Sequence, residues 1–333
     1  MLKARLLRAA GVFVALVGIS LAHAPQVCGQ GTTAKKPAAR RPTYSSTAAQ
    51  ARRARLARAQ AAARARQLQE AQTPRFRMDQ HGNLVPDIRA EAAIIYNPDT
   101  GEILWEENAQ NQRSIASITK VMTTLVFLED SPDLNRAVTI DRNDVRGASI
   151  TYLRANEQVS LDDVLHLTLI ASDNAAARTL ARYSSRGPAG FVVRMNEKAA
   201  ELGLRSTEYH DPSGLSADNV SSAYDMARLI AYAGTDQRMA VIMRTPEFEV
   251  STNRRTVTIH NTNKLVGGDL DVRASKTGFI GKAGYCLATL LQVPDLNQQV
   301  AVVILGARSN AGRFWETRHL FNWLTERLKP ATK

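Results

Sequence analysis

The chain has 333 residues with 43 Lys and Arg against 31 Asp and Glu, a formal charge of +12, and only two cysteines. The charge is uneven: residues 1–77 hold 15 of the basic residues and one acid, Glu70, which leaves 28 bases against 30 acids in the rest. The high isoelectric point therefore says nothing for nucleic-acid binding by the folded part, and Cys28 with Cys286 implies no disulfide framework.

Residues 1–29 have the pattern of an export signal. Lys3, Arg5 and Arg8 precede an apolar run, Ala9 to Ala22, that is too short for a comfortable membrane span. Ala22-His23-Ala24 is a small-x-small cleavage pattern followed awkwardly by Pro25, and Val27-Cys28-Gly29 is the alternative. Cys28 lacks the preceding pattern of a lipoprotein, and an uncleaved anchor is the other reading of this segment. The protein is thus expected in the periplasm or on the outer face of the cytoplasmic membrane.

Residues 30–85 are predicted to be a basic arm, largely disordered. Gln50 to Gln72 is almost wholly Ala, Arg, Gln and Leu, high in helix propensity but too poor in large apolar residues to build a core. Behind an export signal, its expected partner is an anionic membrane or wall surface and not nucleic acid. A plain solvated linker is the alternative.

Residues 86–330 are long enough for one large core or two intimate subdomains. Ala92 to Tyr96 and Glu102 to Trp105 are strand-like, and Asn97-Pro98-Asp99-Thr100-Gly101 between them is turn chemistry. Residues 114–128 come next as a helix apolar on most sides, hence one buried inside the protein. From about 161 to 235 the pattern is mostly helical, with Ser172-Asp173-Asn174 and Asp211-Pro212-Ser213-Gly214 as interruptions and a capping signal at Ser222 to Asp225. Strands are predicted at 256–260, 272–277, 286–293 and 299–305, and a closing helix at 311–328. The fold class is therefore α+β: an antiparallel sheet built from both ends of the domain, flanked by helices, with an inserted helical lobe. Cys286 is expected to be a small core residue. The histidines show no metal spacing, and no cofactor motif appears.

Ser117 and Lys120 lie near the start of the buried helix, one turn apart on one face. A serine hydroxyl needs a base, and a lysine serves as one only when it is neutral part of the time. Desolvation and a second cation both lower a lysine pKa, so this chemistry calls for a second cation nearby. The bland alternative is a helix-start serine beside a snorkelling lysine. Two further signals occur in order: Ser172-Asp173-Asn174 within the helical lobe, and Lys276-Thr277-Gly278 at a strand end.

With these three motifs in this order, the sequence resembles the low-molecular-mass penicillin-binding proteins, the serine D-alanyl-D-alanine peptidases. The resemblance runs from about Ala92 to Leu328 and includes Tyr209 to Ser216, Asn261-Thr262-Asn263 and Ala283-Gly284; it is strongest to the D-alanyl-D-alanine endopeptidase branch. It implies a penicillin-binding protein/β-lactamase-like fold and an acyl-enzyme on Ser117. Lys120 is the implied base, Ser172 the proton relay to the leaving amine, and Asn174 a partner of substrate and Lys120. Lys276 supplies the second cation. Gly278 leaves the strand edge open to substrate, and the N–H groups of Ser117 and Phe279 form the oxyanion hole. Thr277 and Arg313 are implied to grip the substrate carboxylate, a surface arginine capping the last helix being the alternative for Arg313. Partners implied are peptidoglycan stem peptides, with β-lactams as acylating inhibitors.

Cross-link cleavage is expected because the pattern is nearest the endopeptidase branch and because the chain ends soon after the closing helix; carboxypeptidase trimming is the alternative. A serine β-lactamase is disfavoured, since Glu201-Leu202-Gly203-Leu204-Arg205 departs from Glu-x-x-Leu-Asn at Arg205. A non-catalytic wall-binding protein is disfavoured by the intact motifs.

Overall fold

The computed structural model describes residues 46–329; the expected export signal lies outside them. Ser46–Gln72 is one helix (α1) of 27 residues, with every side chain from 48 to 66 exposed. A boundary between two units of the chain falls inside it, after Leu56. Where composition predicts a largely disordered arm to residue 85, helix propensity is realised over α1, and from Phe76 onward the chain is folded. Phe76–Met78 (β1) and Leu84–Pro86 (β2) form an antiparallel hairpin, with Phe76 edge-on to His319 at 4.9 Å and Val85 packed against buried core residues. These residues supply the apolar contacts that 50–72 lack.

Ala92–Tyr96 (β3) and Ile103–Glu107 (β4) are the expected hairpin. After Arg113–Ser114 (β5) the chain turns into Thr119–Glu129 (α2), buried from Thr119 to Leu128. The inserted lobe comes next. Ala137–Thr139 (β6), Arg142–Val145 (α3) and Gln158–Ser160 (β7) lead to Leu161–Leu169 (α4), Asn174–Tyr183 (α5) and Gly187–Glu201 (α6), the last three packed on α2. Val220–Ser221 (β8) pairs with β5. Ala223–Thr235 (α7) starts at Ser222, whose side chain accepts from the Asp225 N–H as the sequence predicts. Gln237–Met243 (α8) and Glu247–Ser251 (β9) have no counterpart in the sequence reading, and Thr256–His260 (β10) pairs with β9 in a separate hairpin instead of joining the main sheet.

Val272–Ile280 (β11), Gly284–Gln292 (β12) and Gln299–Ala307 (β13) complete a five-stranded antiparallel sheet in the order β11-β12-β13-β3-β4, and Asn310–Leu328 (α9) closes the domain. The two-residue period of β13 explains the layering. Ala301, Val303 and Leu305 join the core shared with α2 and α7, while Val300, Val302 and Ile304 join the core shared with α9. Each large apolar side chain so buried contributes about 1.5–3 kcal/mol. The sheet is thus sandwiched, and β11 is left as an edge strand facing the lobe.

Candidate active site

Ser117 sits in a 3-10 turn, Ala116–Ile118, just ahead of α2 rather than inside the α-helix. Ala116 takes φ +48, a left-handed conformation that costs a non-glycine residue roughly 1–3 kcal/mol unless its surroundings impose it. Two glycines let the surrounding backbone close on this turn. A Cβ on Gly214 would lie 2.1 Å from the Ala116 carbonyl oxygen, and one on Gly278 would lie 2.7 Å from that of Ile115 and 3.1 Å from the Ser117 nitrogen. Gly278 therefore has a further reason beyond an open strand edge: it lets β11 touch the backbone beneath Ser117. The Thr119 hydroxyl ties the turn by donating to the Ala116 carbonyl at 2.7 Å.

Lys120 is fully buried. Its Nζ is 2.9 Å from Ser117 Oγ, 2.6 Å from Asn174 Oδ1 and 2.5 Å from the Ser213 carbonyl oxygen. Burial pulls its pKa down to about 7, opposed by the carboxylates of Asp173 and Asp211 and assisted by Arg178. Near neutral pH the amine is thus available both as a base and as an ammonium. Lys276 is also fully buried, and its pKa is pushed well below the usual range by burial, then by Lys120 and Arg313. The two amines oppose each other's protonation and titrate as a pair. Lys276 stands in the cleft where the sequence calls for a second cation, but removal from water is the chief cause of the low pKa of Lys120, and the cation that adds to it is Arg178.

Local structure aims the second motif. Asp173 caps α5, accepting from the Ala176 N–H with Oδ1 and from the Tyr152 N–H with Oδ2, and burial pushes its carboxyl pKa up. Asn174 Nδ2 donates to the Ala148 carbonyl at 2.7 Å, which leaves Oδ1 turned to Lys120. Ser172 takes φ +60, and its Oγ accepts from Lys276 Nζ at 2.8 Å.

The third motif lies on the edge strand. Lys276 Nζ also donates to the Thr277 carbonyl at 3.0 Å, and Thr277 Oγ1 donates to Thr262 Oγ1 at 2.6 Å. Phe279 is half exposed and stacks on Tyr285 at 4.3 Å. Arg313 differs from both sequence expectations. It is buried rather than on the surface, and most of its guanidinium is engaged: Nη1 donates to the carbonyls of Gly278 and Cys286 at 2.9 and 3.1 Å, and Nη2 to Asn310 Oδ1 at 2.6 Å, while the buried Nε has no partner among the described residues. It braces β11 against β12 from α9 instead of presenting a free fork to a carboxylate. Cys286 is buried in β12, as a core residue.

Four contributors have no role in the sequence reading. Asp211 gathers the N–H groups of Ser213, Gly214 and Ser216 on its carboxylate. Asn219 joins that loop to Thr119 at 3.0 Å. The Ser213 carbonyl and the Thr262 hydroxyl complete the set. The run Tyr209 to Ser216 is visible in the sequence as a turn, but a backbone carbonyl used as a lysine partner has no side-chain signature. Glu201, by contrast, pairs with Arg194 on the exposed face of α6 and takes no part in the cleft.

Residues 79–309 match a family model described as peptidase S11, D-alanyl-D-alanine carboxypeptidase. The chain is 32% identical to the D-alanyl-D-alanine endopeptidase of Pseudomonas aeruginosa, over 72% of this chain and 79% of that one. Among solved structures it resembles the Streptomyces K15 DD-transpeptidase, with a TM-score of 0.67, 26% identity, and coverage of 72% of this chain and 97% of that one. It also resembles penicillin-binding protein D2 of Listeria monocytogenes in a cefotaxime-bound form, with a TM-score of 0.63, 29% identity, and coverage of 71% and 97%.

Proposed function

This chain belongs to the D-alanyl-D-alanine carboxypeptidase family and is a serine DD-peptidase; we propose that Ser117 is its nucleophile and that it cleaves cross-links of peptidoglycan as an endopeptidase. The observation that carries the mechanism is Lys120 Nζ, buried and 2.9 Å from Ser117 Oγ. Neutral Lys120 takes the Ser117 proton as Oγ attacks the carbonyl of a D-alanine. The N–H groups of Ser117 and Phe279 receive the developing oxyanion. As the amide bond breaks, Ser172 passes a proton to the departing amine, with Lys276 hydrogen-bonded behind it. Water then attacks the ester and releases the acyl peptide. The substrate strand pairs along the free edge of β11, where Asn174 holds its backbone and Thr277 its carboxylate. Arg313 acts behind the strand by fixing the peptide that carries the Phe279 N–H.

The endopeptidase reading is supported by the named relative from Pseudomonas aeruginosa; the family description favours carboxypeptidase trimming as the second reading. β-Lactams are proposed as acylating inhibitors, in line with the cefotaxime-bound Listeria relative. We further propose export to the cell envelope and a surface-binding role for α1, whose arginines are exposed up to Arg66. No helix of the described residues is long and apolar enough to cross a membrane.

The test uses purified cross-linked dimers and, separately, monomeric pentapeptides. Dimer cleavage by the wild type and none by Ser117→Ala is the expected result. Release of D-alanine from pentapeptide with dimers left intact would transfer the protein to the carboxypeptidase reading. Fluorescent penicillin should label the wild type stably and Ser117→Ala not at all. Rapid loss of the label would indicate a β-lactamase, and no label on the wild type a non-catalytic wall-binding protein.

A further inference from the structure

A cavity of about 460 Å³ lies beside α9, and none of its lining residues belongs to the cleft around Ser117. Its size is within the range of about 300–1,000 Å³ found for small-molecule sites. One face of α9, including Trp315 and Glu316, forms one wall, and the segments around Arg75 and Arg89 form another. Arg308 stands at its end, next to Ser309, the cap of α9.

The charges here do not balance. Arg75 is ion-paired with Asp87. Glu316 is buried, and its two oxygens accept the backbone N–H groups of Arg89 and Ala90 at 3.0 and 3.2 Å; burial pushes its pKa up. The guanidiniums of Arg89 and Arg308 are close enough to Glu316 to act on it by charge. Yet among the described residues neither has a hydrogen-bond acceptor or ion-pair partner of its own. Two free cations thus face one carboxylate, each of whose oxygens already accepts a backbone N–H. His319 adds no compensating group: its ring is held on the Arg75 carbonyl at 2.7 Å, and burial lowers its pKa.

We propose that this groove binds an oxyanion, a carboxylate or a phosphate carried on a small organic group, between Arg89 and Arg308. Each guanidinium presents a planar fork of donors that matches such a group in bidentate fashion. The half-buried Trp315 ring gives the organic part an apolar face, and the positive end of α9 adds to the attraction. The site is independent of the chemistry at Ser117.

The experiment titrates the full mature protein, acylated at Ser117 with penicillin so that the cleft is closed to peptide, at fixed ionic strength. The probes are inorganic phosphate, a stem tetrapeptide ending in D-alanine, and vesicles of phosphatidylglycerol against phosphatidylcholine. Saturable binding to at least one anionic probe is expected. The double variant Arg89→Gln/Arg308→Gln should bind it about tenfold or more weakly, the loss of one or two charge-assisted hydrogen bonds. Arg89→Lys should fall in between, and the penicillin acylation rate of both variants should match the wild type. Which probe binds identifies the source of the oxyanion. Equal binding by the double variant, or no saturable binding to any probe, would overturn the proposal. An unfolded double variant would show by circular dichroism, in which case Arg308→Gln alone carries the comparison.

Discussion

The cleft at Ser117 and the groove beside α9 both gather cations, and they do so in opposite ways. In the cleft, two amines are fully buried, Lys120 Nζ meets three acceptors and Lys276 Nζ two, and their pKa values are pushed down. In the groove, two guanidiniums line open space without acceptors. The difference is chemical. An ammonium taken out of water can surrender its proton and become a base, whereas a guanidinium stays charged and can only bind. Even Arg313, buried and lowered to about 10 by desolvation, still carries its charge at neutral pH, and it serves as a brace.

The sharpest way to break this comparison is Lys120→Arg. It keeps a cation beside Ser117 but removes the possibility of a neutral base. Acylation by penicillin should fall about 10²–10⁴-fold, as much as in Lys120→Ala. Activity within a few-fold of the wild type would show that Lys120 acts by charge alone.

Gly278→Ala tests whether the cleft depends on the close approach of β11 to the nucleophile turn. The added methyl would meet the Ile115 carbonyl at 2.7 Å, so the turn or the strand must move. A displacement of the order of 1 Å costs about 10²-fold in rate, with roughly 1–3 kcal/mol of stability lost to overpacking. Stopped-flow acylation and thermal unfolding measure the two separately; an unchanged rate would mean that the turn tolerates the shift.

The pairing of the two amines predicts a pH effect. Acylation needs neutral Lys120, so its rate should climb through an acid limb near pH 7. In Lys276→Met the remaining amine no longer competes with a second one for protons. Its pKa rises, and the limb moves to higher pH. A limb that stays in place would mean that Lys276 is already neutral where Lys120 titrates.

The smallest effect is expected from the arm. Deleting residues 30–70 spares the hairpin of β1 and β2 and should leave turnover of soluble substrate unchanged. Binding to anionic vesicles or sacculi at low salt should weaken, and the difference should vanish as salt is raised. Equal binding with and without the arm would leave α1 as a spacer.

Sequence alone determined the elements with a strong period or strong turn chemistry. The β3–β4 hairpin, the buried helix after Ser117, the alternating run of β13 and the closing helix are each written in local residue order, because side-chain direction along a strand or helix follows from backbone geometry. The three motifs were legible for the same reason: each is a short run of reactive side chains. Only the tertiary structure decided how they meet. Ser172 reaches Lys276 across 104 positions, and Lys120 reaches the Ser213 carbonyl across 93, contacts that no local pattern encodes. The low pKa of Lys120 belongs to this second class, since desolvation is a property of everything packed around a residue and not of its neighbours in sequence. So does the placement of Arg313, which residue type and position leave open between surface cap and substrate contact. It is settled by the space between α9 and the β11–β12 pair, which puts the guanidinium on two backbone carbonyls. The hairpin over residues 76–85 is not legible in the sequence for a related reason: Phe76 stays half exposed against His319 and Val85 is only partly buried, too few apolar residues to signal a folded segment without α9.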